Sequence, residues 1–271
     1  QSSMSPPNLK AVSWVLMNPD TGIMIAAENP DEKMEPASLS KLLTAYIIFR
    51  EIRRGNLSPE EEVVISETAW RTGGSRMFIE PGERISVENL LLGMIVQSGN
   101  DAAVALAEHV AGSEESFSGL LNQVAAELGL RNSHFVNSTG WPHPEHFSSA
   151  RDISLITSAI IREFPGMYGY YSIREFTWNN ITQHNRNPLL GRDESIDGVK
   201  TGHTEAAGYC LVGSAKRDGL RIVATVMGTE SARYRAEAVY SLIKFGFAAY
   251  EMHWVYRAGA AVVNAVPVYK G

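Results

Sequence analysis

Apolar positions along this chain follow two rhythms. Two short apolar runs, residues 9–17 and 22–27, flank Asn18, Pro19, Asp20, Thr21 and Gly22, a stretch dense in turn formers, and so predict a β-hairpin. Residues 38–54 then predict a long helix, with Pro36 just ahead of it and Gly55 just behind. Its apolar residues (Leu42, Leu43, Ala45, Tyr46, Ile47, Ile48, Phe49, Ile52) cover most of the circumference. A helix that is apolar nearly all round is a buried one. The centre of the fold is therefore expected at this helix.

The helical rhythm continues over 87–95, 101–110, 114–128 and 151–164, with Ser86 and Ser113 placed to cap two of these helices. Residues 130–150 show no period and read as a long loop. Strand-like runs return at 172–178, 195–200, 208–216 and 220–227, the last two joined at Arg217, Asp218 and Gly219. A final helix is expected over 232–250. Strands at both ends with helices between them predict an α/β (α+β) fold: a mainly antiparallel sheet built from both termini and flanked by helices.

Beyond His253 the pattern turns extended again (Trp254, Val255, Tyr256, Val262, Val263, Val266, Val268, Tyr269). Two strands alone are not a stable unit. The expectation is a catalytic domain over 1–254 and the start of a β-rich second domain over 255–271, cut off before it closes.

Composition narrows the function classes. The 271 residues are 44% hydrophobic and 20% charged, enough for a sizeable core without metal or disulfide. A net charge of -6 argues against nucleic acid as the main partner. Cys210 is the single cysteine, so an intrachain disulfide and a thiolate metal cluster are excluded; within Tyr209, Leu211 and Val212 it reads as a small buried hydrophobe. No apolar run approaches the ~20 residues of a membrane helix. The polar residues 1–7 carry no signal-peptide pattern, so an exported protein is expected here in its mature form.

Three short motifs carry the chemistry. In Ser38-Leu39-Ser40-Lys41 the lysine stands one helical turn after the serine, within reach of its hydroxyl. Serine is a poor nucleophile until a base takes its proton, and a lysine becomes such a base when burial and a nearby cation lower its pKa. Ser98-Gly99-Asn100 falls at a break between helices, and Lys200-Thr201-Gly202 on a strand end. Each has a bland reading. Ser38 and Lys41 look like an N-cap with a surface lysine, and Ser241-Leu242-Ile243-Lys244 repeats the pattern inside the last helix. Gly99 and Asn100 look like a helix stop and the next cap, and Lys200 like the guard of an edge strand. Their order changes the weighing: serine-x-x-lysine, serine-x-asparagine and lysine-threonine-glycine in succession form the trio of penicillin-binding proteins and serine β-lactamases.

The segments Pro36 to Lys41, Ser98 to Ala102 and Asp197 to Thr204 resemble the low-molecular-mass D-alanyl-D-alanine carboxypeptidases of the penicillin-binding protein 5 group. Further likeness lies in Ser149-Ala150-Arg151-Asp152, in His184-Asn185-Arg186-Asn187, and in Arg235 ahead of Phe245-Gly246-Phe247, so that roughly residues 9–260 are covered. The resemblance implies a transpeptidase-like catalytic domain, a small all-β second domain and an amphipathic C-terminal membrane anchor absent from this sequence. It implies a periplasmic protein, peripheral to the inner membrane.

Carried over by residue, Ser38 resembles the acylated nucleophile and Lys41 its general base. Ser98 and Lys200 resemble a proton relay, and Asn100 the residue that holds the substrate peptide. Thr201 and Arg235 resemble the anchor for a terminal carboxylate beside Gly202, and the backbone N–H groups of Ser38 and His203 the oxyanion hole. Asp152 and Arg186 are left out of the catalytic set. Residues 137–143 are bulkier than the family pattern. The partners implied are peptidoglycan peptides ending in D-Ala-D-Ala and β-lactams as covalent inhibitors, with no cofactor and no metal. The rivals are a DD-endopeptidase, a serine β-lactamase and a β-lactam sensor. Against the β-lactamase, no Glu-x-x-x-Asn segment stands in the loop that would place a deacylating water. Against the sensor, no membrane helix is seen.

Overall fold

The computed structural model describes residues 4–258, with side chains described to Tyr250. The N-terminal hairpin forms as β1 (Ser13–Asn18) and β2 (Ile23–Glu28), and three late strands follow as β7 (Ile196–Thr204), β8 (Gly208–Arg217) and β9 (Leu220–Thr229). They make one antiparallel sheet in the order β2-β1-β9-β8-β7, closed by the pairing of Ser13 with Met227 across the two ends of the chain.

Side chains alternate across this sheet, and both faces are covered. Val15, Met17, Val212 and Val223 point into a core shared with helix α1 (Lys41–Arg53) and helix α6 (Ala150–Glu163). Trp14, Leu16, Leu211, Ile222 and Ala224 point the other way, onto Val239, Leu242 and Ile243 of helix α7 (Ala232–Ala258). Burial on both faces is why these strands read as continuous apolar runs. Nine consecutive residues of α1, Lys41 to Phe49, are buried, as its all-round apolar pattern predicts.

Helices α3 (Val87–Val96), α4 (Asn100–Ala111) and α5 (Glu114–Glu127) complete the helical layer. Ser86 and Ser113 cap α3 and α5, accepting from the backbone N–H of Asn89 and Ser116. A short helix α2 (Glu67–Arg71) and the strand pair β3 (Glu62–Val64) and β4 (Arg84–Ser86) had no clear pattern in the sequence. They are too short to show a period.

Two expectations need correction. The strand expected over 172–178 is divided: a 3-10 turn Met167–Ser172 buries Tyr168 and Tyr171, and only β5 (Glu175–Trp178) is extended. It turns at Asn179 and Asn180, both at positive φ, into β6 (Ile181–His184), a two-residue hairpin suited to asparagine. The 130–150 loop forms as expected, pinned by the bridges Met34–Ser148 and His134–Phe147. Finally, α7 runs to Ala258, so Trp254–Arg257 are helical where extended chain is expected; the β-rich domain placed from 255 onward otherwise lies outside the described residues.

Candidate active site

Ser38 does not cap α1. It sits in a 3-10 turn, Ala37–Ser40, that leads into the helix, and Ser40 takes the cap position without a side-chain cap bond. The turn still spaces Ser38 and Lys41 one winding apart. Lys41 Nζ donates to Ser38 Oγ at 2.7 Å and reaches Ser98 Oγ at 3.2 Å. Lys200 Nζ donates to the same Ser98 Oγ at 2.9 Å and to the Thr201 carbonyl at 3.0 Å. One hydroxyl thus lies between two lysine amines, with the half-buried Ser38 hydroxyl at one end.

Both lysines are out of water, Lys41 at 2% and Lys200 at 4% exposure. Burial of Lys41, with the charge of Arg186 beside it, pushes its pKa down to about 7, against a smaller opposing pull from Asp101. Lys200 is held well below the usual lysine range by burial, and by the charges of Lys41, Arg186 and Arg235. Arg186 therefore belongs to the electrostatics of the site, although no motif of the trio contains it. The residue is solvent-exposed, yet its charge acts on both lysines.

Backbone strain marks the same places. Ala37 (φ 50°) and Ser98 (φ 55°) are non-glycine residues in the left-handed region. The turn before α4 is thus made by Ser98 at positive φ, and Gly99, the expected helix stop, is the N-cap of α4 with Asn100 its first helical residue. Asn100 donates from Nδ2 to the Gly73 carbonyl at 2.8 Å and from its backbone N–H to the Ser75 carbonyl at 2.7 Å. Asp101 holds the rest of that loop. Its buried carboxylate accepts from the N–H of Met77 at 3.0 Å and of Phe78 at 3.1 Å.

The turn that carries Ser38 is wedged between two glycines. A side chain on Gly140 would bring its Cβ to 1.8 Å from the Ala37 carbonyl, so only glycine fits at that left-handed position (φ 92°). On the other side, a Cβ on Gly202 would lie 3.1 Å from the Pro36 carbonyl. Strand β7 is the edge of the sheet, and its free side faces this turn. After Gly140, Trp141 is 54% exposed and its ring packs against Gly73 and Gly74 next to Asn100, which is where the unusual bulk of 137–143 goes.

Arg235 reaches the site across a strand. Strand β8 separates β9 from β7, and the guanidinium lies 5.3 Å above the Tyr209 ring before Nη1 donates to the Gly202 carbonyl at 3.2 Å. Arg235 is 8% exposed, and its Nε has no hydrogen-bond partner among the described residues. Thr201 is buried next to Gly202 in sequence. His203 stacks on the same aromatic shelf, 3.9 Å from the Tyr209 ring. All nine predicted site residues thus lie on the turn before α1, the start of α1, the turn before α4 and its first residue, the β7 edge and the first turn of α7. Asp152 is elsewhere: it accepts from Ser133 Oγ and Asn132 N–H and pins the 130–150 segment.

A family model described as D-alanyl-D-alanine carboxypeptidase matches residues 1–231. The chain belongs to the D-alanyl-D-alanine carboxypeptidase family. It is 40% identical to D-alanyl-D-alanine carboxypeptidase DacC of Escherichia coli over 258 residues, 93% of this chain and 64% of DacC. The chain spans slightly less than two thirds of the length of these carboxypeptidases, 62–65%. Among solved structures, penicillin-binding protein 5 of Haemophilus influenzae aligns with a TM-score of 0.88 at 39% identity, covering 91% of this chain and 73% of that one. Penicillin-binding protein D2 of Listeria monocytogenes in its ampicillin-bound form aligns with a TM-score of 0.81 at 29% identity, covering 89% and 100%. The carboxypeptidase family thus shares the antiparallel sheet and helical layer seen here.

Proposed function

We propose that this chain is the catalytic domain of a serine-type D-Ala-D-Ala carboxypeptidase. It removes the terminal D-alanine of a peptidoglycan stem peptide through an acyl-enzyme on Ser38. The observation that carries this reading is the chain of contacts Ser38–Lys41–Ser98–Lys200 around a buried lysine whose pKa is about 7. Near neutral pH a large share of such a lysine is uncharged and holds a lone pair for the serine proton.

Ser38 Oγ loses its proton to Lys41 Nζ and bonds to the carbonyl carbon between the last two D-alanines. The backbone N–H groups of Ser38 and His203 receive the developing oxyanion. When the C–N bond breaks, the leaving amine takes a proton from Ser98 Oγ. Lys41, carrying the serine proton, replaces it through its contact with that hydroxyl, which Lys200 also holds. Water then attacks the ester and gives a proton to Lys41, which hands it to the departing Ser38 Oγ, so both residues return to their starting state. The substrate peptide lies along the free edge of β7, held by Asn100, with its carboxylate on Thr201 and Arg235.

β-Lactams enter by the same acylation, a reading supported by the likeness to penicillin-binding protein D2 of Listeria monocytogenes in its ampicillin-bound form. The substrate lies outside the cytoplasm, so this reading puts the protein in the periplasm, peripheral to the inner membrane. No helix of the described residues is long and apolar enough to cross a membrane. The test is mass spectrometry of a D-Ala-D-Ala-terminated peptide after incubation: loss of one alanine is expected. An intact peptide together with loss of dimeric muropeptides from isolated sacculi would make the protein an endopeptidase instead.

A further inference from the structure

One buried histidine takes no part in this acyl transfer. His146 is 2% exposed, with its ring edge-on to Phe135 at 5.4 Å. Its Nδ1 accepts the backbone N–H of Val136 at 3.0 Å, and its Nε2 lies 2.7 Å from Ser40 Oγ. A donor facing Nδ1 needs that nitrogen's lone pair, so the hydrogen-bond network assigns the ring's proton to Nε2, which donates to Ser40 Oγ. The ring is neutral. Burial, followed by the charges of His134 and His143, pushes its pKa down to about 4.

Its two partners belong to the two segments that meet at the nucleophile. Ser40 shares the 3-10 turn with Ser38 and immediately precedes Lys41. Val136 opens the stretch that ends at Gly140, seated on the Ala37 carbonyl. Ala37 is held at positive φ, a conformation that persists only where its surroundings enforce it. Gly140 supplies one restraint by contact, and the His146 bond to Ser40 supplies a directional one.

Resting on the acyl-transfer reading, we propose that His146 is a positioning residue for Ser38 and Lys41: its ring clamps the 3-10 turn to the 136–140 segment through Ser40 and Val136. A histidine that only filled space would contribute to stability and leave the chemistry of the folded enzyme alone. A clamp acts on the alignment of a reacting pair, where a displacement of ~1 Å costs up to ~100-fold in rate.

The experiment measures penicillin acylation of wild type, His146→Phe, His146→Gln and Ser40→Ala, separating non-covalent affinity from the first-order acylation constant. Thermal melts give the folded fraction. His146→Phe keeps the volume and loses both bonds. Its acylation constant should fall roughly 10- to 100-fold with affinity little changed. His146→Gln keeps a donor for Ser40 and should recover part of the loss, while Ser40→Ala should reproduce most of it. A folded His146→Phe within about twofold of wild type overturns the proposal; if that variant fails to fold, an unchanged Ser40→Ala does so. Wild type that forms no adduct at Ser38 sinks the acyl-transfer reading instead. The clamp is then judged by NMR titration of ¹³C-labelled Lys41. Its midpoint should rise when Ser40→Ala loosens the turn and admits water, and an unmoved midpoint overturns the clamp.

Discussion

The chain contains serine-x-x-lysine twice, and the two copies share a spacing but not an environment. Ser241 lies in α7, where its hydroxyl donates to the Ala238 carbonyl at 2.8 Å, and Lys244 is exposed with its ammonium 4.7 Å from the Tyr240 ring. Ser38 and Lys41 touch each other at 2.7 Å, and the lysine is buried against a second hydroxyl and near a second lysine. What separates a nucleophile from an ordinary helix surface is the environment of the amine. Water keeps Lys244 solvated and its neighbouring serine inert. In the proposed reaction, burial is what lets Lys41 serve as the base.

The sharpest way to break this contrast is to exchange the serines' fates. Ser38→Ala should abolish the covalent penicillin adduct, and Ser241→Ala should keep it at one per chain. Intact-mass measurement decides, and an adduct that survives Ser38→Ala would reassign the nucleophile.

Next come the lysines. Lys41→Arg keeps the charge but cannot release a proton near neutral pH, so acylation should fall by about 10²–10⁴-fold, the usual worth of a general base. Lys244→Arg should be silent. In wild type the acylation rate should climb as pH rises through about 7, where Lys41 loses its proton. A flat profile, with chemistry shown to limit the rate, would count against a lysine base.

Helix α7 sharpens the contrast because it carries both the inert motif and, at its first turn, Arg235. Removing that guanidinium with Arg235→Ala should lower kcat/KM by about 1.5–3 kcal/mol, the scale of a hydrogen bond to a charged group. Amidating the peptide C-terminus should cost wild type much more than it costs the variant. Equal losses in the two would remove Arg235 as the carboxylate anchor. Arg233, exposed two residues earlier, should tolerate alanine.

A last effect is on stability. The pKa of Lys41 falls from 10.5 to about 7 on folding, so between those values the unfolded chain binds more protons than the folded one. Unfolding free energy should therefore rise with pH across that window, by at most ~1.4 kcal/mol per pH unit from this group. Below about pH 7 the buried charge is a constant penalty. Lys41→Met should flatten the slope and gain stability at neutral pH, as denaturant titrations from pH 6 to 10 would show; an unchanged slope would mean Lys41 is not desolvated.

Long-period features are legible in the sequence because burial imposes them over many residues. The all-round apolar α1, the two-face strands β8 and β9 and the antiparallel sheet from both termini all follow from such patterns. The trio motif locates Ser38, Ser98 and Lys200 on three separate elements. What stays hidden is set by tertiary contact alone. Nothing local marks Ala37 and Ser98 for positive φ, Arg186 for electrostatic reach to two lysines, or Gly140 for contact with the Ala37 carbonyl. Tyr171 is buried by the packing around α1 and the 3-10 turn, which overrides the strand-like run beside it.

The seam between β1 and β9 has a consequence for the chain while it is still folding. Ser38 follows the first hairpin, whereas Lys200 stands on a strand that joins it only through β8, β9 and the Ser13–Met227 pairing. Pairings between such distant residues form slowly, after the local helices. A chain appearing N-terminus first therefore exposes its serine long before the cavity that dries out Lys41 exists. Until the last strand docks, Lys41 remains a hydrated ammonium and the hydroxyl beside it is no more reactive than any other. Topology thus acts as a safety catch in time, and during refolding the capacity to be acylated should return with the slowest phase rather than with the helical signal.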